Sequence, residues 1–203
     1  MKKQYIVAVL VILLILIADQ ALKIWVKTNM MIGEQIPIIG NSIMLYFIEN
    51  PGMAFGMEIP GLFGKLILSI FRLVAIVLLS IYLHKTIKKG VSSFFVICIA
   101  MVIAGAAGNL IDSAFYGLIF SESTNQIATL FPQEGGYAQF MHGHVVDMFY
   151  CPVIDTHIPE SWPFWASKHI IFFRPVFNIA DSAITVSVIL MIIFYRKVFR
   201  DQF

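Results

Sequence analysis

Four apolar runs limit what this chain can become. They cover about Tyr5–Val26, Leu62–His84, Ser93–Ala114 and Phe177–Tyr195, close to the roughly 20 residues of helix that cross a hydrocarbon core of about 30 Å. A helix is the natural form of such a run in lipid, because it satisfies its own backbone hydrogen bonds. Of 203 residues, 59% are hydrophobic and 13% charged, against roughly 45–50% and 25% in soluble domains. The expected fold is an all-α membrane protein, a four-transmembrane-helix bundle forming one domain over 1–203. A small extracytoplasmic β-containing subdomain is expected from the outer segments 27–61 and 115–176.

Charge sets the expected orientation. Lys2 and Lys3, the Lys85/Lys88/Lys89 cluster and Arg196/Lys197/Arg200 fall on one side of a four-span chain, and the positive-inside rule makes that side cytoplasmic. Both termini are then inside. The first run reads as a retained helix rather than a cleaved signal peptide: no small-x-small site follows it, and Asp19 and Lys23 stand where cleavage would fall. A net charge of +2 gives no reason to expect a nucleic-acid partner. Cys98 and Cys151 fall on opposite sides and form no disulfide framework.

Polar residues interrupt these runs in a repeated way. Asn109-Leu110-Ile111-Asp112-Ser113-Ala114 and Asn178-Ile179-Ala180-Asp181-Ser182-Ala183 each set an Asn and an Asp three residues apart, and Asp147 lies between them. Acids beside lipid are costly and mark functional sites. At about 1.5 Å per residue, Asp19 stands about 24 Å above Lys3 and Asp181 about 22 Å from Arg196. The acids therefore gather at one depth, in the outer quarter of the membrane. Asn109/Asp112, Asn178/Asp181 and Asp19/Lys23 each share a helix face, which should turn inward and line a polar pocket.

Each group has a functional and a plain structural reading. Asp147 and Asp181 could form an aspartyl dyad in which one carboxyl keeps a proton and the other acts as base; alternatively each pairs with a cation or caps a helix. Asp112 would compete for the same role, but it ends the third run, where the helix dipole disfavours a carboxylate, so it needs a partner and reads more simply as a structural hydrogen-bonding residue. Asn109 and Asn178 either orient the acids or bond neighbouring helices. Asp19 and Lys23 have i,i+4 spacing and read as a structural ion pair. His142-x-His144-x-x-Asp147 matches no strong metal signature, so no metal or cofactor is expected. Gln35–Ile48 reads as one or two short strands ending at the Asn50-Pro51-Gly52 turn. Trp162, Pro163, Phe164 and Trp165 read either as an interfacial anchor or as residues buried in the outer segment.

Five blocks together carry a resemblance. Asp19-x-x-x-Lys23, Asn50-x-Gly52-x-Ala54-Phe55, Gly108-Asn109-x-x-Asp112, Val146-Asp147-Met148 and Phe177-Asn178-x-Ala180-Asp181, in this order on four spans, resemble lipoprotein signal peptidase, or signal peptidase II. The resemblance implies a membrane aspartyl protease that removes the signal peptide of bacterial prolipoproteins, cutting before a cysteine that carries diacylglycerol. It implies Asp147 and Asp181 as the catalytic pair, with Asn109, Asp112 and Asn178 supporting them. Asn50, Gly52 and Ala54 would lie beside the substrate, and Asp19 and Lys23 would be structural. A membrane-lying helix and a β-cradle are implied in the outer segments, with membrane lipid and the prolipoprotein as partners of a monomer.

The chain departs from that pattern twice. Ser113 stands where the family usually carries Arg after the third-block Asp, so another cation must compensate, and Arg174 is a candidate by proximity. The stretches between Asp112, Asp147 and Asp181 are longer than the family commonly has, enough for a lid or a partner surface. Two rival functions make different demands. A proton-coupled transporter needs acids spread through the depth, and these are confined to the outer part. A non-catalytic scaffold would bind substrate without turnover.

Overall fold

The computed structural model describes residues 1–40, 42–51, 62–152, 154–157, 169–172 and 175–194. The Gly52 and Ala54 positions, Trp162–Trp165, Arg174 and the Arg196/Lys197/Arg200 cluster lie outside these residues. Among the described residues, three helical stretches are long and apolar enough to cross a bilayer: Lys2–Asn29, Gly64–Lys88 and Ser93–Ile119. They belong to α1 (Lys2–Asn29), α2 (Leu62–Lys88) and α3 (Ser93–Ile111) with its extension. A shorter apolar helix, α5 (Ile179–Ile193), completes the set.

α3 is the central helix. Ser92 caps its start by accepting from the Phe95 N–H, and eleven of its residues are buried, among them Phe95, Ile99, Ile103 and Asn109. The others wrap it and leave apolar side chains facing outward: Leu14 and Ile17 on α1, Phe71 and Leu78 on α2, Ile192 on α5. Such an exposed apolar belt suits lipid rather than water.

Small residues let α5 and α1 approach α3 closely, as membrane helix interfaces favour. A Cβ at Gly105 would lie 2.3 Å from the Ala180 carbonyl oxygen, and one at Gly108 would lie 2.7 Å from Asp19 Oδ2. Gly105→Ala is therefore expected to push α5 away from α3 and cost about 1–3 kcal/mol. Thermal unfolding in detergent measures this; an unchanged transition would show that the contact yields freely.

The third span runs past the expected end at Ala114. A π turn, Asp112–Tyr116, leads into α4 (Gly117–Ile119). The segment that precedes Val145 docks on this turn and supplies its donors: Ala138 N–H to the Gly117 carbonyl at 2.9 Å and Gly143 N–H to the Ser113 carbonyl at 2.8 Å. Asp112 therefore sits within a continuing helix rather than at its terminus, which corrects the dipole argument. Gly143 is required here, since a Cβ would stand 2.1 Å from the Asp112 carbonyl oxygen.

Gln35–Ile48 holds two strands, as expected, and strands from later in the chain join them. β1 (Gln35–Ile39), β2 (Ile43–Asn50), β3 (Val145–Tyr150) and β6 (Val176–Phe177) form an antiparallel sheet in the order β1-β2-β3-β6. β4 (Ile154–His157) and β5 (His169–Phe172) pair as a separate two-stranded sheet. The fourth run was expected to be helical from Phe177; that residue instead pairs with Phe149 in the sheet, and the helix starts two residues later. Among the described residues between Phe120 and Asn178 there is no helix. Val26, Met30, Phe47, Tyr116, Phe120, Val146 and Met148 form a buried cluster that fastens the sheet to the ends of α1 and α3.

Candidate active site

The pairing of β3 with β6 brings two distant acids together. Asp147 projects from β3, and β6 runs directly into Asn178, the N-cap of α5, with Asp181 in the first turn. Asn178 serves both sides. Its side-chain oxygen accepts the Asp181 N–H at 2.9 Å, a capping bond, and its amide donates to Asp147 Oδ1 at 2.8 Å. Asn109 donates to Asp181 Oδ1 at 2.7 Å and accepts from the Asn178 amide at 3.0 Å. Asn50, at the end of β2, donates to Asp147 Oδ2 at 3.4 Å. Two asparagines thus bridge two aspartates, one at each end.

Asp147 is 5% exposed, whereas Asp181 is only half-buried. Burial first, and then the charge of Asp181, push the Asp147 carboxyl up to about 7; Lys23, Asn50 and Asn178 pull the other way without prevailing. Two carboxyl groups in one desolvated site cannot both ionise cheaply.

Behind this pair lies an ionic knot. Lys23 Nζ is 2.9 Å from Asp19 Oδ2, 2.7 Å from Asp112 Oδ2 and 2.9 Å from Asn109 Oδ1. These three contacts account for all three donors of an ammonium group. Asp19 Oδ1 accepts the Ala180 N–H at 2.9 Å, and Asp112 Oδ2 accepts the Val146 N–H at 3.2 Å. Gln20 adds a bond to Asp112 Oδ1 at 2.9 Å and receives the Tyr116 hydroxyl at 3.0 Å. One lysine on α1 therefore ties α3, β3 and α5, the elements that carry the two aspartates and their asparagines. The expected i,i+4 pair is present, and Asp112 has the partner it needs.

The two histidines are turned to other uses. His144 Nδ1 lies 3.1 Å from Glu49 Oε2, and His142 Nδ1 lies 2.9 Å from the Phe140 carbonyl. Glu49 also pairs with Lys27 and accepts from Ser123 at 2.7 Å. Burial works to raise its carboxyl, yet the His144 hydrogen bond and the Lys27 charge outweigh it and hold Glu49 at about 2. This cluster binds the long segment after α4 to α1 and β2, so that segment contributes a packed flank rather than a free surface there.

The matched family is decisive. A family model described as Signal peptidase (SPase) II matches residues 11–197. The chain belongs to the signal peptidase II family. It is 48% identical to the lipoprotein signal peptidase of Porphyromonas gingivalis over 95% of this chain and 83% of that protein. It is 35% identical to the lipoprotein signal peptidase of Amoebophilus asiaticus over 89% and 74% respectively. A bacterial membrane enzyme solved in meso at 2.3 Å resolution shares the fold, with TM-score 0.61, 24% identity, and coverage of 94% of this chain and 87% of that one. Membership makes the chain a multi-pass membrane hydrolase of lipoprotein processing.

Sequence reasoning overlooked one residue of this signal peptidase II site. Arg72, in the middle of the second apolar run, donates from Nη1 to Ser113 Oγ at 3.2 Å. Asp181, Asp112 and Asp147 are the acids whose charges reach it. The signal was available, since a lone Arg between Phe71 and Leu73 is an intramembrane charge of the kind that marks a site. A guanidinium from α2 thus stands at Ser113, while the Arg174 candidate lies outside the described residues. Gln20 and Glu49 were also passed over, because their partners come from distant segments.

Proposed function

We propose that the chain is an aspartic endopeptidase that removes the signal peptide from prolipoproteins, cutting before a diacylglyceryl-modified cysteine. Asp147 and Asp181 are its catalytic dyad. The observation that carries this reading is the double use of Asn178, which hydrogen-bonds Asp147 while capping the helix of Asp181. That linkage supports a fixed pair rather than two independent structural acids.

The chemistry follows from unequal environments. The more buried Asp147, raised to about 7, holds the shared proton. The more open Asp181 acts as base. A water placed between them loses a proton to Asp181 as its oxygen attacks the scissile carbonyl carbon, and Asp147 gives its proton to the carbonyl oxygen. The tetrahedral diol then collapses. The peptide C–N bond breaks, the proton on Asp181 passes to the leaving cysteine nitrogen, and Asp147 recovers its proton from the diol. The products are a free amine and a carboxyl group, and the dyad ends as it began. Asn109 and Asn178 fix the two carboxylates. Asn50, with Gly52 and Ala54, is assigned to the substrate side, and Asp19, Lys23 and Asp112 to support.

Topology fits this task. Four spans with both termini in the cytoplasm would open the dyad toward the extracytoplasmic face of the inner membrane, where a lipid-anchored cysteine stays in the bilayer while its peptide bond meets water. The expected pH dependence follows from Asp147: as pH rises through about 7 it loses the shared proton, so kcat/KM should fall on the alkaline side with a midpoint near that value. The substrate assignment is tested with purified protein and one prolipoprotein, with and without diacylglycerol, resolved by gel shift and mass spectrometry. Cleavage before the cysteine of the lipidated form alone is expected. Equal cleavage of both forms, or of neither, would reject it.

A further inference from the structure

The site holds more acid than Lys23 can balance. Four carboxyl groups, Asp19, Asp112, Asp147 and Asp181, share one network, and Lys23 is the one cation within 4 Å of any of them among the described residues. Arg72 is the second positive charge in reach. It stands ten residues into α2, about 15 Å along the helix, a depth at which a lipid-facing guanidinium is costly. Its neighbours Phe71 and Leu73 are exposed, but Arg72 itself is half-buried and reaches inward to Ser113 Oγ at 3.2 Å.

The hydrogen bonds from there have one direction. Ser113 spends its single proton on the Asn109 carbonyl at 3.0 Å, so its oxygen can receive the guanidinium. Asn109 in turn donates to Asp181 Oδ1 at 2.7 Å. Arg72 and Ser113 thus brace the backbone turn that carries Asn109, and the Asn109 side chain makes the separate bond to Asp181, so the linkage from α2 to α5 passes through the end of α3. No carboxylate lies within ion-pair distance of Arg72 among the described residues, and the acids whose charges reach it through space are Asp181, Asp112 and Asp147.

We propose that Arg72 is a positioning residue of the peptidase, bracing the end of α3 at Ser113 so that the Asn109 side chain holds Asp181 in register. The proposal rests on the dyad reading above. The other groups facing the dyad are Asp19 and Lys23 on α1, Asn50 at the end of β2, Asp112 in the π turn, and Asn178 at the start of α5. Glu49 pairs with His144, Lys27 and Ser123 in a cluster of its own.

The test is the pH profile of cleavage of a diacylglyceryl-modified prolipoprotein by membrane-inserted variants. Arg72→Gln keeps a donor for Ser113 but removes the charge. With one positive charge fewer beside the dyad, Asp147 holds the shared proton more tightly, so the alkaline limb should move up by about one pH unit. kcat should fall about 100-fold, the lower end of what a lost electrostatic donor costs, with KM little changed. Arg72→Lys should keep the limb near its wild-type place. Arg72→Ala combined with Ser113→Arg should bring the limb back, since the cation returns to the same point from α3. A wild-type profile and kcat in Arg72→Gln, or a double variant that behaves like Arg72→Gln, overturns the proposal. Should Arg72→Gln fail to insert, Arg72→Lys and the double variant decide it by the same readout. Asp181→Asn run in parallel separates the two readings: if it retains turnover, the dyad itself is wrong, whatever Arg72 does.

Discussion

Asp147→Asn and Asp181→Asn are each expected to lower kcat by about 10³–10⁴-fold, the upper range of general acid–base contributions, while the protein remains folded and inserted. Asparagine preserves shape and can keep one bond to Asn178 or Asn109, so the helix cap at Asn178 and the β3–β6 pairing survive. What is lost is the proton. Asp147→Asn leaves no acid for the carbonyl oxygen, and Asp181→Asn leaves no base for the water. Because the two act as a unit, the double variant should lose little more than either single one. Steady-state cleavage of lipidated substrate measures all three. Multiplicative losses in the double variant would mean that the aspartates contribute separately and are not a dyad.

Lys23→Met is expected to have the largest effect on stability, about 3–5 kcal/mol, the usual cost of stranding a buried charge partner. Lys23, Asp19 and Asp112 are all within 1% of complete burial. Without the ammonium, Asp19 and Asp112 face each other with no cation within 4 Å among the described residues. One of them must take up a proton or the helices must part. Either response weakens the bonds that Asp19 makes to the start of α5 and Asp112 to β3, so activity should fall along with the thermal transition in detergent. A transition within about 1 kcal/mol of wild type would show that the knot is dispensable.

Much of this arrangement was legible from spacing. The runs that became α1, α2 and α3 read directly as spans, and the three polar pairs read as inward faces because lipid offers them nothing. The need of Asp112 for a partner also followed from its setting, although the reason given, a helix end, did not. The π turn could not be foreseen, since its continuation depends on donors from Ala138 and Gly143 more than twenty residues later. β3 was obscured for a related reason. Val145–Tyr150 is short and its identity as a strand comes from pairing with β2 and β6, which is tertiary information. Arg72 was a different kind of miss: the residue was plain in the second run, but its neighbours are lipid-facing and its partner Ser113 lies 41 positions away.

The shared proton is the central claim, and infrared difference spectroscopy of the carboxyl stretch against pH observes it most directly. The account predicts a protonated carboxyl band in the wild-type protein that disappears as pH rises through about 7. The band should be absent in Asp147→Asn and should titrate at lower pH in Asp181→Asn, where the opposing charge has gone. A wild-type protein with no carboxyl band titrating near neutrality, or a band that persists unchanged in Asp147→Asn, would contradict it.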